Sequence, residues 1–207
     1  MSITRNLLIA ALLASAGHAV AASTVDLSVK GSITPSACEL SLDNGGAFDL
    51  GKISSKDLSR DIQTDLPEQT TQMTVTCEAA TLMAIESTDN RAGSSYWDNG
   101  EETFGLGLIN GTQKLGFLYT SLKGHIADGS TAYGIHSRDG GLTWANGGTF
   151  KPGSLSSTYK VSPPVPMPFQ VLTANITIWP AIAPAQGLTL TEEVPIDGSI
   201  TLTVRYL

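Results

Sequence analysis

The chain has 207 residues and a formal net charge of −7 at pH 7, and charged residues make up only 15% of it. This acidic balance argues against nucleic acid or an anionic membrane surface as a partner. After the N-terminal leader, short apolar runs are separated by Gly, Asn, Asp and Pro, and none keeps a 3.6-residue period over three turns. The composition therefore predicts an all-β fold.

The first 21 residues are predicted to be a secretory signal peptide. Arg5 supplies a positive charge, residues 7–16 form a short apolar run, and residues 19–21 (Ala-Val-Ala) are a small-residue cleavage site. The run is shorter than the ~20 residues that a membrane-spanning helix needs. Cleavage leaves residues 22–207, which we interpret as a single β domain with its own core.

Short strands are predicted in the region up to residue 87. In the first, Val25, Leu27 and Val29 alternate with polar residues, the period of a strand with one buried face. A turn is expected at residues 44–46. Further strands are predicted at residues 48–51, 73–77 and 82–85.

The mature chain contains two cysteines, Cys38 and Cys77, on or beside these predicted strands. Export to an oxidising compartment predicts a disulfide that joins two neighbouring strands of the early sheet. The alternative is a pair of buried free thiols. No histidine cluster accompanies the cysteines, so no metal site is predicted.

Residues 88–165 are rich in Gly, Ser and Asn, with weaker alternation at residues 104–108 and 115–119. This region is either a linker between domains or a set of strands and long loops within one domain. The alternating apolar residues need a sheet to cover them, which favours the single domain.

The strongest strand signals follow Pro166, with strands predicted at residues 169–172, 175–179, 188–190 and 199–206. In the last of these, apolar residues again alternate with polar ones. The alternating residues are Ile200, Leu202, Val204 and Tyr206.

One octapeptide in the middle region reads S-x-D-x-G-x-T-W and is similar to the Asp-box hairpin of sialidases. Its short polar side chains can hydrogen-bond turn amides, and its glycines permit positive φ. The motif occurs once, and the chain is too short for several propeller blades of ~40–50 residues each. We interpret it as a structural hairpin formed by Ser137, Asp139, Gly141, Thr143 and Trp144.

Nothing in the sequence supports catalysis, and we predict neither enzymatic activity nor a cofactor. The adjacent carboxylates of Glu192 and Glu193 point to opposite faces of an extended chain, and no G-x-S-x-G elbow is present. Aromatic residues in the middle region are expected to cap hairpins and fill the sandwich, because aromatic side chains are mostly buried; the alternative is that they are exposed on loops and stack on sugars. They are Tyr96, Trp97, Tyr119, Tyr133 and Trp144.

Motifs at both ends of the chain resemble those of subunits of chaperone–usher pili. The alternating segment that runs through Gly31 to Cys38 is similar to the donor extension and first strand of these subunits, and Cys77 and the penultimate Tyr206 also match. Residues 31–38, 50–53 and 194–198 resemble an uncharacterised group of fimbrial-like proteins of Gram-negative bacteria. One departure is Val194, which stands where pilins usually carry glycine.

The resemblance implies an immunoglobulin-like, pilin-type β-sandwich that is incomplete and is completed by a donated strand. Residues 22–33 would be the donor segment, with Val25, Leu27 and Val29 in the pockets of the acceptor. The chaperone would pair with the C-terminal strand and bind the Leu207 carboxylate through basic residues. That pairing strand is Ile200, Leu202, Val204 and Tyr206.

The resemblance also implies partners and a location. The partners are a periplasmic chaperone, an outer-membrane usher and neighbouring subunits, and a glycan or host receptor stays open. The protein would pass through the periplasm to a fimbria on the surface of a Gram-negative bacterium. The alternative is a secreted or periplasmic β-sandwich binding protein that does not polymerise, in which both terminal strands belong to its own sheets.

Overall fold

The protein is an all-β sandwich of antiparallel sheets, as the composition predicts. The computed structural model describes residues 28, 37–97 and 100–207. Strand lengths vary from two to fourteen residues in this part of the chain, and the helical elements are short 3₁₀ turns at Ser55–Asp57 and Ala185–Gly187. No helix among the described residues has the length and hydropathy needed to cross a membrane.

The strands are numbered β1 to β14 in chain order. The first sheet has the spatial order β1 (Cys38–Leu42), β3 (Gln69–Thr81), β13 (Phe169–Ile182), β8 (Gly116–Ala127) and β5 (Phe104–Gly105), with β2 (Thr64–Asp65) beside β13 and β9 (Ser130–Thr131) beside β8. The second sheet has the order β11 (Ala145–Asn146), β10 (Tyr133–Ser137), β12 (Leu155–Tyr159), β4 (Met83–Asp89) and β14 (Ile200–Tyr206). A small hairpin pairs β6 (Leu108–Ile109) with β7 (Gln113–Lys114).

Alternation along the strands builds the core. On β3, Met73, Val75 and Cys77 are almost fully buried, while Thr74 and Thr76 between them carry hydroxyl groups to the outer face. Burial of such apolar side chains is the main force that holds two sheets together. Three phenylalanines outside β3 fill the remaining space between the sheets: Phe104, Phe150 and Phe169.

The strand order matches part of an immunoglobulin-like sandwich. The order β1-β3-β13-β8 corresponds to strands A, B, E and D, and the adjacent pair β4-β14 corresponds to C and F. In that fold a further strand, G, lies beside F. Among the described residues no strand takes this position, so β14 forms an edge of the second sheet.

The sequence predictions of strands at residues 48–51 and 188–190 were wrong, because side-chain hydrogen bonds hold both segments in irregular conformations. Asp49 Oδ1 accepts a bond from the amide of Gly51 (2.8 Å), which closes a local turn. The amide of Thr189 donates to Gln113 Oε1 (2.9 Å) instead of to a neighbouring strand.

The two strands predicted at residues 169–172 and 175–179 form one continuous strand, β13. The pairing of β13 with β8 shifts register between Thr173 and Asn175. Gly124 on β8 lies opposite this shift with φ +66°, a conformation that glycine adopts without strain. The extra residue of this bulge therefore lies on the partner strand β8, and β13 continues without interruption.

The Gly-rich middle region contributes strands to both main sheets. β5 and β8 lie in the first sheet, and β10 and β12 lie in the second. The second sheet therefore consists of β4 and β14 together with strands from residues 88–165. The region from Thr34 to Leu207 forms one compact unit.

Cys38 and Cys77 form the predicted disulfide, which is confirmed by the structure. The two residues lie directly opposite each other in the register of β1 and β3. The bond therefore fastens the edge strand β1 to the first interior strand of its sheet. The alternative of two free thiols was wrong.

We expect the disulfide to contribute roughly 4 kcal/mol to the free energy of unfolding, on the chain-entropy model for a closed loop of this length, since its cysteines are 39 residues apart. A C38S/C77S variant, compared with the oxidised protein by urea titration, should lose stability on this scale. Alkylation of the native protein followed by mass measurement should find no free thiol. An unchanged unfolding midpoint in the double variant would contradict this expectation.

Candidate functional site

The outer edge of β14 carries backbone groups that no strand among the described residues meets. The amide of Leu207 donates to Leu82 O, and the amide of Asn90 donates to Ser199 O. In an antiparallel ladder the bonding direction alternates with each residue, so the odd-numbered residues of β14 face β4. The N–H and C=O groups that point away from β4 belong to Ile200, Leu202, Val204 and Tyr206.

β1, the edge strand of the first sheet, also has backbone groups that meet no strand in the part of the chain that the structure describes. The amide of Glu78 donates to Ala37 O, and the amide of Asp43 donates to Gln72 O. The odd-numbered residues of β1 therefore face β3, and the amides of the even-numbered ones point away from it. β1 and β14 are edge strands of the two sheets, and they run antiparallel, since Cys38 at the start of β1 contacts Tyr206 at the end of β14 while residues after β1 and before β14 line one cavity. We refer to the strip between β1 and β14 as the groove.

The apolar side chains along this groove are only partly buried. Leu40 and Leu42 on β1 and Leu202 and Val204 on β14 contact the core but keep part of their surface accessible to solvent. By contrast, Val75 on the neighbouring strand β3 has no exposed surface. The sandwich is therefore covered incompletely along the groove, where unpaired backbone and apolar surface coincide.

Tyr206 closes one end of the groove. Its side chain lies on the inner face of β14, reaches across to β1, and its hydroxyl accepts a hydrogen bond from the amide of Cys38 (3.1 Å). That amide is one of the outward-pointing donors of β1. The penultimate tyrosine thus links the two sheets beside the disulfide.

At the other end of the groove the structure contains a cavity of about 670 Å³. Two irregular segments line it, one after β1 (residues 46–58) and one before β14 (residues 190–198), and an exposed ion pair between Lys52 and Glu193 (3.2 Å) joins them. Its apolar lining includes side chains of the core: Leu106, Leu115, Leu118, Ile178 and Ile182.

A polar cluster fixes the first residues of β14, next to this cavity. The guanidinium of Arg91 donates two hydrogen bonds to the carboxylate of Asp197, each 2.7 Å long. The Asn90 side chain donates to the hydroxyls of Ser199 and Thr201, both at 2.9 Å. We refer to Asn90, Arg91 and Asp197 as the β14 clamp.

The β14 clamp is supported on both sides by backbone contacts. The carboxylate of Asp89 accepts hydrogen bonds from the amides of Arg91 (2.8 Å) and Gly105 (3.0 Å), and the amide of Asp197 donates to Leu106 O (3.1 Å). The hydrogen bonds from Arg91 lower the pKa of Asp197, so the carboxylate stays ionised well below neutral pH.

Sequence reasoning missed the β14 clamp. Its signal is the run Asp89-Asn90-Arg91 directly after an apolar strand, paired with Asp197 directly before the last strand. Each is an ordinary polar residue at a strand end, and only the fold brings the two strand ends together.

The Asp-box octapeptide connects β10 to β11 and makes a dense set of local hydrogen bonds. The Asp139 carboxylate accepts from the Thr143 hydroxyl (2.6 Å) and the Thr143 amide (2.9 Å), and the Ser137 hydroxyl accepts from the Gly141 amide (2.8 Å). The Trp144 indole donates to Gly141 O (3.0 Å). A Cβ added to Gly141 would meet side-chain atoms of Leu207 at 3.9 Å, so the hairpin lies beside the last residue of the chain.

The aromatic residues of the middle region pack mainly in pairs. Tyr119 on β8 lies 6.2 Å from the ring of Trp179, and Tyr133 on β10 lies 5.7 Å from Tyr159. Trp97 stacks at a tilt against Phe117. Tyr133 is 56% exposed, as a sugar-stacking residue would be. The aromatic pairs nevertheless lie in different parts of the sandwich, and none of them lines the cavity described above.

The predicted donor residues Val25, Leu27 and Val29 lie outside the described residues, as does the predicted signal peptide. Within the part of the chain that the structure describes, no group of three His, Cys, Asp or Glu side chains is placed to hold a metal ion.

Comparisons with known proteins show similarity to a family of unknown function and to two proteins of Escherichia coli. The family described as "Protein of unknown function (DUF1120)" matches residues 27–111, less than half of the chain. The uncharacterized protein YhcF of Escherichia coli (strain K12) is 29% identical in an alignment 233 positions long, gaps included, which covers 97% of this chain and 98% of YhcF. Protein GltF of the same strain is 26% identical in an alignment 249 positions long, gaps included, which covers 100% of this chain and 98% of GltF.

The hydrogen bonds from Thr143 and Ser137 lower the pKa of Asp139 from 3.8 to about 2. A carboxylate whose pKa is depressed in the folded hairpin stabilises it fully above pH 3.8, and this contribution is lost as the pH falls through 2. We expect NMR titration of the Asp139 carboxyl carbon to show this low midpoint. Thr143→Val removes the hydroxyl donor and should raise the midpoint toward 3.8, whereas equal midpoints in both proteins would contradict the assignment.

Proposed function

We propose that this protein is an exported structural subunit of a surface fimbria that is assembled by donor-strand exchange through a chaperone and an usher. The observation that carries the proposal is the open edge of β14, where outward-pointing backbone groups lie beside a half-buried apolar face. The motifs at both ends of the chain, which resemble those of chaperone–usher subunits, support the same reading.

An open edge of this kind is unstable in isolation for a physical reason. Its N–H and C=O groups form a template on which any extended chain can pair, which leads to aggregation unless a specific strand fills it. Beside it lie partly exposed leucine, isoleucine and valine side chains. Removing their apolar surface from water would also favour association. A chaperone that lends a strand would protect this edge in the periplasm.

The same edge would then serve assembly. In β-augmentation, main-chain hydrogen bonds provide affinity, and side chains at alternate positions fill pockets and fix the register. The alternating Val25, Leu27 and Val29 of a second copy have the spacing that such a strand requires. The groove offers both unpaired edges, so one inserted strand would pair with β14 and cover the core beside β1.

The proposal assigns no catalytic step, and it places the protein first in the periplasm and then on the surface of a Gram-negative bacterium. The position within the fibre, as a shaft, minor or adhesive tip subunit, is left open. The competing function is a β-sandwich binding protein that folds alone and does not polymerise, in which β14 needs no added strand.

Two variants on β14 separate these functions. Val204 lies on the inner face at the groove, and Val204→Lys would place a charge where the added strand must pack, at a cost of several kcal/mol. We expect this variant to lose most co-purification with a co-expressed periplasmic chaperone and to form no heat-sensitive multimers on gels.

Thr203→Lys is the matched control, because Thr203 is the adjacent residue and is exposed on the outer face of β14. It adds the same charge to the same strand without entering the groove, so chaperone capture and multimers should persist. If both variants, or neither, lose multimers and chaperone, the groove is not the pairing surface and the non-polymerising function is favoured.

A further inference from the structure

We propose that the β14 clamp (Asn90, Arg91 and Asp197) is a positioning device that holds the strand-accepting edge in its paired conformation before any strand is added. This inference rests on the proposed function, because it concerns how the open edge captures its partner. It assigns to these three residues a role in strand capture in addition to their packing.

The need for such a device follows from the position of β14. An edge strand has a neighbour on one side only. In β14, the residue-by-residue pairing with β4 ends at Ile200, the first residue of the strand. Strand ends of this kind fray, because few contacts oppose the entropy of the free chain. The end in question borders the cavity, since Ile196 and Gly198 line it. Fraying would therefore deform the acceptor groove itself.

The geometry of the clamp opposes fraying at several successive residues. Arg91 holds Asp197 through a two-pronged contact, while Asn90 holds Ser199 through both its backbone amide and its side chain and reaches Thr201 as well. A bidentate arginine–carboxylate pair fixes orientation as well as distance. Together these contacts fix Asp197, Ser199 and Thr201, at the point where the ladder with β4 begins.

The clamp leaves the accepting edge free. Asn90 and Arg91 come directly after β4, on the side of β14 away from the groove, and their partners are hydroxyl, carboxylate and carbonyl groups of residues 197–201. The amides of Leu202 and Val204 are not used by it. The clamp can therefore remain in place while a strand pairs with the outer edge.

The expected effect follows from a pre-equilibrium. If only a fraction of the molecules has the edge in its paired conformation, the apparent affinity for an added strand falls by that fraction, and the loss appears as slower association. Arg91 and Asp197 are partly exposed, so their pairing is worth less than that of a buried pair. We expect a loss of roughly three- to tenfold when the pair is broken.

The test measures binding of a fluorescent peptide with the sequence of residues 22–33 to the monomeric fraction of the mature chain, residues 22–207, in which no second copy fills the groove. Arg91→Gln and Asp197→Asn should each weaken binding roughly three- to tenfold through the association rate, with little change in dissociation. Arg91→Lys, which keeps the charge and loses the two-pronged contact, should fall between the wild type and Arg91→Gln. All rates are measured well below the melting temperature of each variant.

Arg205→Gln is the matched control. Arg205 lies on β14 and pairs with Glu86 on β4 (3.6 Å), but it projects from the outer face of the sheet. Arg205→Gln removes one positive charge, as Arg91→Gln does, so any general electrostatic effect on peptide binding will also appear in this control variant. We expect its peptide affinity to stay within about twofold of the wild type.

The outcomes separate this inference from the proposed function. If the wild type binds the peptide and the clamp variants bind equally well, the clamp is only a structural contact and the inference is overturned. The same holds if Arg91→Gln does not fold but Arg91→Lys binds with wild-type rates. If the wild type itself does not bind the peptide, the proposed function fails, and the inference fails with it.

Discussion

The structure depends on one feature of strand geometry: β14 has backbone hydrogen-bonding groups on two sides, but among residues 37–97 and 100–207 a paired neighbour lies on only one of them. The groups facing β4 are satisfied along the full strand, and those of Leu202 and Val204 point the other way. Because side chains and backbone groups alternate with the same period, the residues with unpaired amides also carry the apolar side chains that line the groove. Within the described part of the chain, unpaired backbone and incompletely covered core thus have one common cause, the lack of a second neighbour beside β14.

The surroundings of the groove limit how far this vacancy can disturb the fold. The disulfide ties the edge strand β1 to β3, and Tyr206 links β14 to the backbone of Cys38 at the same end. At the opposite end Arg91 and Asp197 hold the start of β14. A groove fixed at both ends and open along its length is suited to receive an extended chain with little rearrangement, which reduces the entropic cost of binding.

Much of the fold could be predicted from the sequence, because alternation with period two is a local signal. The strand at residues 200–206 and the disulfide between Cys38 and Cys77 were predicted, and both are present. The segments at residues 48–51 and 188–190 have the same alternation but are not strands, since side chains such as those of Asp49 and Gln113 satisfy their amides. The β14 clamp could not be predicted at all, because Arg91 and Asp197 are 106 positions apart and meet only through the pairing of β4 with β14.

The most direct test of the account is amide hydrogen exchange at β14. In a chain that begins at Lys30, the amides of Leu202 and Val204 should exchange quickly, while that of Thr203, which faces β4, should exchange slowly. Addition of a peptide comprising residues 22–33 should slow exchange at Leu202 and Val204 at least about tenfold and leave Thr203 nearly unchanged. The account would be contradicted if Leu202 and Val204 were already as protected as Thr203 without the peptide, or if the peptide left their exchange unaltered.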